Sequence, residues 1–163
     1  MTHWIAAYIG IGSNLGDSRE RVNGAFEALG RVPRTRLIAR SRLYRTRPMG
    51  PVAQDDFVNA VAGVLTQLSA SELLQALRGI EAAAGRVRAK RWGPRTLDLD
   101  LLVFGDRRIA EPDLTVPHPG MAERGFVLRP LNDVAPTLDV PGLGRVDELL
   151  QRLPDDGVAG VLA

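Results

Sequence analysis

The sequence predicts an α+β domain with a ferredoxin-like core, in which elements follow the order β-α-β-β-α-β and a mostly antiparallel sheet carries helices on one face. Two observations predict this order. Apolar, β-prone runs alternate with stretches whose apolar residues recur at helical spacing, and both helical stretches carry capping residues and a terminal glycine. The 163 residues contain no repeat and no linker, so we expect a single domain over residues 1–163, with C-terminal additions after the core.

The first strand and helix occupy the N-terminal thirty residues. Residues 4–11 form an apolar, β-prone run that ends in the glycine-rich stretch 10–17, which we interpret as a turn. A helix begins where Asp17 or Ser18 can cap it, and it ends at Gly30. Its apolar stripe consists of Val22, Ala25, Phe26 and Leu29.

The second and third strands are separated by a loop. Residues 37–44 alternate between apolar side chains and arginines, which predicts a half-buried strand. Residues 45–56 contain two prolines, a glycine and two aspartates and are therefore expected to form a loop. Residues 57–65 are mostly apolar and predict the third strand.

A second helix and a fourth strand complete the core. Ser69 and Glu72 match a capping box, and the helix that they open ends at Gly85. An arginine-rich segment follows and leads into the strand that contains Asp98 and Asp100. The apolar stripe of the helix consists of Leu73, Leu77, Ile80 and Ala84.

The remaining residues are expected to add short elements. Residues 126–131 are mostly apolar, which predicts an extended segment. The tail from Pro154 is expected to be loose. The other predicted elements are a short hairpin or excursion at 105–111, a turn at 117–120 and short helices at 121–124 and 146–153.

Composition excludes several classes of protein. The chain has no cysteine, which rules out disulfides, thiolate metal sites and cysteine nucleophiles. It has no apolar run long enough to span a membrane, and no Gly-Lys-Ser/Thr triplet of a Walker A loop. We therefore expect a cytoplasmic protein with no membrane partner.

Two motifs carry weaker signals. The glycines after the first strand lack the spacing of a dinucleotide site, and no acid lies between Glu27 and Asp55 to bind a ribose. Phe57 and Asn59 share a strand face, and a ring beside an amide can hold a flat heterocycle. The alternative interpretation is a core phenylalanine beside a strand-end asparagine.

The most specific feature is the acid pair on the fourth strand. Asp98 and Asp100 point to one face of the strand, while the intervening leucines point to the other. Two carboxylates on an apolar strand cost free energy unless they are compensated, and Mg²⁺ is commonly held by one or two carboxylates plus substrate phosphates. The preceding segment supplies five cations for a polyphosphate: Arg86, Arg88, Lys90, Arg91 and Arg95. Together they indicate metal-assisted phosphoryl transfer, whereas each alone is compatible with a solvated surface.

Seven segments combine into a specific resemblance. The block Arg-Trp-Gly-Pro-Arg-Thr-Leu-Asp-Leu-Asp occupies residues 91–100. The other segments are residues 12–16, 44–46 with 50–51, 57–59, 85–88, 116–118 and 124–126. The seven segments follow one another in chain order within residues 5–130. Through them the chain resembles 6-hydroxymethyl-7,8-dihydropterin pyrophosphokinases, a family of folate biosynthesis.

The resemblance implies transfer of diphosphate from ATP to the hydroxymethyl oxygen of the pterin, with release of AMP. It implies two Mg²⁺ ions bound by Asp98 and Asp100. The implied catalytic residues are Arg86, Arg91, Arg95, Asp98 and Asp100. The implied pterin pocket consists of Thr46, Met49, Phe57, Asn59, Trp92 and Phe126. The implied ATP-binding residues are Glu81, Arg88, Arg91, Trp92, Arg95, Thr115, His118 and Arg124. The chain departs from the family pattern at Arg47, Phe57, Asp113 and Pro119.

Two other functions were weighed against this one. An RNA-binding ferredoxin-like module fits the element order and a pI near 9.6, but such modules stack bases on aromatic residues, and only 5% of this chain is aromatic. A catalytically inactive pterin or nucleotide binder is disfavoured by the intact acid pair. We therefore expect ATP and hydroxymethyl-dihydropterin as ligands, no nucleic acid partner, and a monomer.

Overall fold

A computed structural model describes residues 3–14, 16–47, 55–85, 97–154 and 157–162. The core elements are β1 (Ile5–Ser13), α1 (Ser18–Gly30), β2 (Thr35–Arg40), β3 (Tyr44–Thr46), β4 (Phe57–Thr66), α2 (Ala70–Ala83) and β5 (Asp98–Phe104). The C-terminal additions are β6 (Ile109–Glu111), β7 (Leu114–Val116), a 3-10 helix (Met121–Glu123), α3 (Gly125–Val134), β8 (Asp139–Val140), β9 (Gly144–Arg145), α4 (Val146–Arg152) and β10 (Val158–Val161). Among these described residues, no helix is both long and apolar enough to cross a bilayer.

The sheet topology confirms the predicted ferredoxin-like order. The strands lie in the order β10-β3-β4-β1-β5, and β2 pairs with the far half of β4. All strand pairs within the described residues are antiparallel. Gly12 of β1 lies opposite Asn59 of β4 on one side and opposite Asp98 of β5 on the other. This register brings residues of three strands together at one end of the sheet.

One face of the sheet packs against α1 and α2, as the helical stripes predict. Phe26 and Leu29 of α1 and Leu73 and Leu77 of α2 are at most 1% exposed. The predicted caps are present: Asp17 accepts a hydrogen bond from the Glu20 backbone N–H. Ser69 and Glu72 close the capping box, with each side chain accepting from the other residue's backbone N–H at 3.1 and 2.9 Å.

The opposite face is covered by α3, where the sequence predicts an extended segment at residues 126–131. That prediction is wrong, because Gly125–Val134 is helical although Pro130 lies inside it. Val127 and Leu131 belong to a second buried core on this face, and Leu128 is also fully buried. Burying three such side chains contributes about 1.5–3 kcal/mol each, which exceeds the roughly 3 kcal/mol that an internal proline costs a helix.

Three other local predictions are wrong. The strand predicted at 37–44 is divided into β2 and β3 where Ser41 exchanges hydrogen bonds with Val61, donating from its backbone N–H at 2.9 Å and accepting on its hydroxyl at 2.8 Å. Residues 10–13 continue β1 and do not form a turn. The tail beyond Pro154 is not loose in its described part, because β10 pairs with β3. Each of these features depends on a partner strand that is distant in sequence.

Asp133, near the C-terminal end of α3, ties that helix to β3. The Tyr44 hydroxyl donates to its carboxylate at 2.8 Å, and Arg42 donates from both its backbone N–H and its guanidinium. Burial alone raises the pKa of Asp133, but the hydrogen bonds from Arg42 and Tyr44 outweigh it and lower the pKa below its ordinary value. The same strand carries Thr46, so this contact fixes α3 relative to a residue of the site described next.

Candidate active site

A cleft of about 310 Å³ opens on the α3 side of the sheet, at the end where β1 leads towards α1. Strands β1, β4 and β5 form its floor, and residues at the start of α3 form one wall. Two sequence-distant groups of predicted site residues therefore meet in one concave surface. The predicted residues that line it are Thr46, Phe57, Asn59, Asp98, Asp100, Arg124 and Phe126.

The acid pair stands as the alternation of β5 predicts. Asp98 and Asp100 line the cleft, while Leu99 and Leu101 are 0% and 3% exposed in the helix-side core. The pKa of Asp100 is raised, first by burial and also by the negative charge of Asp98, while His118, Arg78 and Arg124 act in the opposite direction. The side chain of Asp100 nevertheless keeps 49% of its surface accessible from the cleft.

The donor set fits a hard divalent cation. The Cα atoms of residues two apart on a strand lie about 7 Å from each other, and their side chains point the same way. The carboxylate oxygens of Asp98 and Asp100 can therefore bind a common cation or two neighbouring ones. Gly10 and Gly12 lie opposite Asp100 and Asp98 in the β1–β5 pair, so β1 places no side chain across from either carboxylate. A cation placed there would relieve the repulsion between the two acids, since that repulsion favours protonation of Asp100.

His118 is held beside the acid pair by its backbone. Its N–H donates to the Leu102 carbonyl of β5 at 2.9 Å, and its Nε2 lies 3.8 Å from Oδ1 of Asp100. The Nδ1 atom lies 2.9 Å from the Pro119 carbonyl oxygen, which can only accept, so Nδ1 is the donor and Nε2 faces the acid.

Thr46 and Asn59 form a buried polar pair across β3 and β4. The Thr46 hydroxyl donates to Oδ1 of Asn59 at 2.6 Å, and the two residues are 4% and 9% exposed. This bond fixes the orientation of the amide, so its Nδ2 group points towards Gly12. A Cβ atom at Gly12 would lie only 3.0 Å from Nδ2. The amide and the glycine therefore fit together only because residue 12 has no side chain.

Two aromatic rings line the same cleft as this amide. Phe57 on β4 and Phe126 on α3 are both half-buried and both line the cleft. The guanidinium carbon of Arg124 lies 5.8 Å from the centroid of the Phe126 ring, within reach of a cation–π contact. Two ring faces beside a fixed amide suit a flat heterocycle, which can stack on the rings and bond to the amide at its edge.

The other predicted site residues fall into three groups according to where they lie in the structure. Thr115 and His118 line a neighbouring, more open cleft of about 440 Å³. Glu81 lines neither cleft, since it lies on α2 and is only 3% exposed. Outside the described residues lie Met49, Arg86, Arg88, Arg91, Trp92 and Arg95.

Sequence reasoning missed three residues at or beside the site. Gly10 and Gly12 lie within β1 as part of the cleft floor, and glycines inside a strand are typical of a close approach by another group. Arg78 binds both Glu81 and the backbone of β5. Glu81 follows Leu77 by one helical turn on the apolar stripe, a spacing that predicts its burial.

Comparisons with known sequences converge on one family. Residues 8–136 match the model of the family described as 7,8-dihydro-6-hydroxymethylpterin-pyrophosphokinase. A protein of Pseudomonas aeruginosa named 2-amino-4-hydroxy-6-hydroxymethyldihydropteridine pyrophosphokinase is 49% identical over 151 residues, which is 93% of either chain. The Haemophilus influenzae protein of the same name is 43% identical over 93% of this chain and 94% of its own length.

Solved structures support the fold. A crystal structure of Plasmodium falciparum HPPK-DHPS with pteroate superposes with a TM-score of 0.71 at 15% identity, over 93% of this chain. The chain spans 43% of the length of that protein, so the likeness concerns one part of it.

Proposed function

The chain belongs to the 7,8-dihydro-6-hydroxymethylpterin-pyrophosphokinase family, and we propose that the cleft between β1, β4, β5 and α3 is its active site. The protein is an ATP- and Mg²⁺-dependent enzyme of folate biosynthesis that transfers diphosphate from ATP to the hydroxymethyl group of 6-hydroxymethyl-7,8-dihydropterin. One observation carries the proposal: a carboxylate pair and a pocket for a flat ring share one concave surface.

Asp98 and Asp100 are the proposed Mg²⁺ ligands, for two ions. Support comes from their hard oxygen donors, their common face and the raised pKa of Asp100, since a nearby cation favours the ionised pair. Mg²⁺ bound at this position would neutralise part of the negative charge of the triphosphate. The strand itself contributes the fixed orientation of both carboxylates towards the cleft.

The pterin is proposed to lie between Phe57 and Phe126. Asn59, oriented by Thr46, then bonds to the polar edge of the bicycle through its Nδ2 group. Phe57 supplies a stacking face without the hydroxyl of a tyrosine. Met49 and Trp92 are proposed to complete this pocket.

ATP is proposed to bind on the side of Thr115, His118 and Arg124. The guanidinium of Arg124 brings positive charge towards the acid pair, and His118 lies beside Asp100 with a ring nitrogen facing it, which favours a polyphosphate there. Further cations are proposed from the adjoining segment: Arg86, Arg88, Arg91 and Arg95, together with Trp92. Of these, Arg86, Arg91 and Arg95 are the proposed catalytic residues, since they can stabilise charge on the transferring group.

The reaction needs positioning more than covalent help from the protein. The hydroxymethyl oxygen of the pterin attacks the β-phosphorus of ATP and forms a new O–P bond. The bond between the β-phosphorus and the oxygen bridging to the α-phosphate breaks, so AMP leaves with that oxygen. The hydroxyl proton is released. Holding the ring between two phenylalanines aligns the attacking oxygen with the phosphate beside the acid pair.

Substitution of the acid pair tests the proposal. Asp98→Asn and Asp100→Asn preserve side-chain volume and should each nearly abolish Mg²⁺-dependent AMP formation without unfolding the protein. Asp106→Asn, in an exposed turn after β5, is the matched control and should retain full activity. Near-normal AMP release by either site variant contradicts the metal assignment, and ADP as the product contradicts diphosphate transfer.

We also propose that the protein works as a single-domain cytoplasmic monomer without a nucleic acid partner. The single domain is supported by one sheet that contains both β1 and β10, from the two ends of the chain. The absence of cysteine suits a reducing compartment. Sedimentation equilibrium of the purified protein tests the monomer: a mass above 17.7 kDa at micromolar concentration contradicts it.

A further inference from the structure

Strand β5 carries both proposed metal ligands, yet it has a free edge. It pairs with β1 on one side, and within the described residues no strand pairs with its other side. The backbone groups on a free edge lack ladder partners, so the strand is held less firmly there. What occupies this edge therefore decides how well the carboxylates are fixed.

Two side chains of α2 occupy the edge at Leu99, the residue between the two acids. Oε2 of Glu81 accepts from the Leu99 N–H at 2.8 Å, and Nη1 of Arg78 donates to the Leu99 carbonyl at 3.2 Å. Arg78 also donates to Oε1 of Glu81 at 2.9 Å. One acceptor and one donor, joined to each other, satisfy both backbone groups of Leu99 as a neighbouring strand would.

This contact fixes the strand from the side opposite β1. The backbone groups of successive residues point to opposite edges of a strand, so those of Asp98 and Asp100 face β1, where they lie opposite Gly12 and Gly10. The strand is thus held alternately: Asp98 towards β1, Leu99 towards α2, and Asp100 towards β1 again. A shift of β5 along or away from β1 requires breaking contacts on both edges.

Glu81 is also badly placed for direct contact with a ligand in the cleft. Its side chain is 4% exposed, and it approaches β5 from α2, whereas the acids project to the α3 face. Its two oxygens each accept from a group of the protein, Leu99 or Arg78. Its negative charge is met by the Arg78 guanidinium, which itself remains 40% exposed.

We infer that Glu81, together with Arg78, is a positioning residue for the divalent-cation site, acting through the backbone of Leu99, and that it does not bind ATP directly. The inference rests on the proposed assignment of Asp98 and Asp100 as metal ligands. Groups that orient metal ligands commonly change metal affinity by about 10–100-fold when they are removed.

The test measures cation binding without nucleotide. Mn²⁺, used as a spectroscopic probe for the Mg²⁺ site, is titrated into the full-length wild type, Glu81→Ala, Glu81→Gln and Arg78→Met. Glu81→Ala should bind Mn²⁺ about tenfold more weakly or worse, and Glu81→Gln, which retains one oxygen acceptor, should lie between it and the wild type. Exchange of the Leu99 amide hydrogen, followed by NMR, should accelerate in the same order. The KM for ATP at saturating Mg²⁺ should stay within about twofold of wild type.

A matched control and a second variant keep the test decisive. Glu27→Gln removes the carboxylate of a surface pair with Arg40, also 2.9 Å long, and should leave Mn²⁺ affinity unchanged. If Glu81→Ala does not fold, Arg78→Met decides, since its side chain is partly exposed and the change removes the contacts to the Leu99 carbonyl and to Glu81 while the bond from the Leu99 N–H to Glu81 remains. Wild-type Mn²⁺ affinity in Arg78→Met and Glu81→Ala overturns the inference, as does a raised KM for ATP with unchanged Mn²⁺ affinity. A wild type that binds no Mn²⁺, either alone or together with a non-hydrolysable ATP analogue, refutes the metal site itself, and the inference with it.

Discussion

Gly12→Ala is predicted to damage pterin binding through a single added methyl group. The new Cβ would lie 3.0 Å from Nδ2 of Asn59, closer than ordinary van der Waals contact allows. Asn59 cannot retreat freely, because Thr46 holds its Oδ1 at 2.6 Å. The substitution therefore forces either the amide to turn or β1 and β4 to move apart.

The expected magnitudes follow from these contacts. Replacing a strand glycine by alanine gains about 0.4–1 kcal/mol by restricting the unfolded chain. Overpacking a tight site costs about 1–3 kcal/mol, and losing a neutral hydrogen bond costs about 0.5–1.5 kcal/mol. The losses prevail, so the free energy of unfolding should fall by about 1–2 kcal/mol. A misoriented amide that loses about 1 kcal/mol of binding raises the KM for the pterin about fivefold.

The assay follows AMP formation at varied pterin and saturating ATP, at a temperature well below the unfolding transition. Urea unfolding of the same samples gives the stability change. Gly79→Ala is the matched control, because no atom lies within 4 Å of the Cβ it would add on α2. It should leave the KM unchanged and stabilise the helix by about 0.5–1 kcal/mol. A pterin KM for Gly12→Ala within twofold of wild type would refute the role given to the Asn59 amide.

Two further predictions concern stability. Ser69→Ala removes the acceptor of the Glu72 N–H and should lower the free energy of unfolding by about 1 kcal/mol with unchanged kcat; coincident urea curves would contradict this. Asp133 has a lowered pKa in the folded protein, so its contribution is present above the unfolded pKa of about 3.9 and is lost as pH falls below it. The wild type should therefore lose more stability than Asp133→Asn between about pH 6 and about pH 3, and parallel pH profiles of the two proteins would argue against the hydrogen-bonded carboxylate.

The parts of the fold that local signals determine could be predicted from the sequence. The alternation in β5 predicts which side chains reach the cleft, and the capping box predicts the start of α2. The family resemblance predicts seven residues that the structure brings together in one cleft, including Thr46 and Phe126 from distant segments. The strand alternation and the capping box are read from residues close together in the chain, whereas the grouping of the seven site residues is predicted from the family resemblance.

The parts that failed depend on partners far away in sequence. α3 contains Pro130 and becomes helical because the sheet face beneath it must be covered, which no local pattern indicates. β10 becomes a strand because β3 offers it an edge, and residues 10–13 stay extended because β4 and β5 lie on both sides. The contact of Glu81 with Leu99 could not be read from the sequence, because it depends on how α2 packs against β5.

The alternation of side chains along β5 restricts where this enzyme can accept insertions and deletions. Asp98 and Asp100 face the cleft while Leu99 and Leu101 face the core, so inserting or deleting one residue within the strand would send leucines to the cleft and acids into the core. Over Asp98–Leu101 the register with β1 is regular, so no bulge absorbs such a change there; the one register shift of this strand pair lies after Leu101. Changes in chain length are therefore expected in the connections that precede and follow β5, whereas within β5 only replacements that keep the alternating pattern are compatible with catalysis.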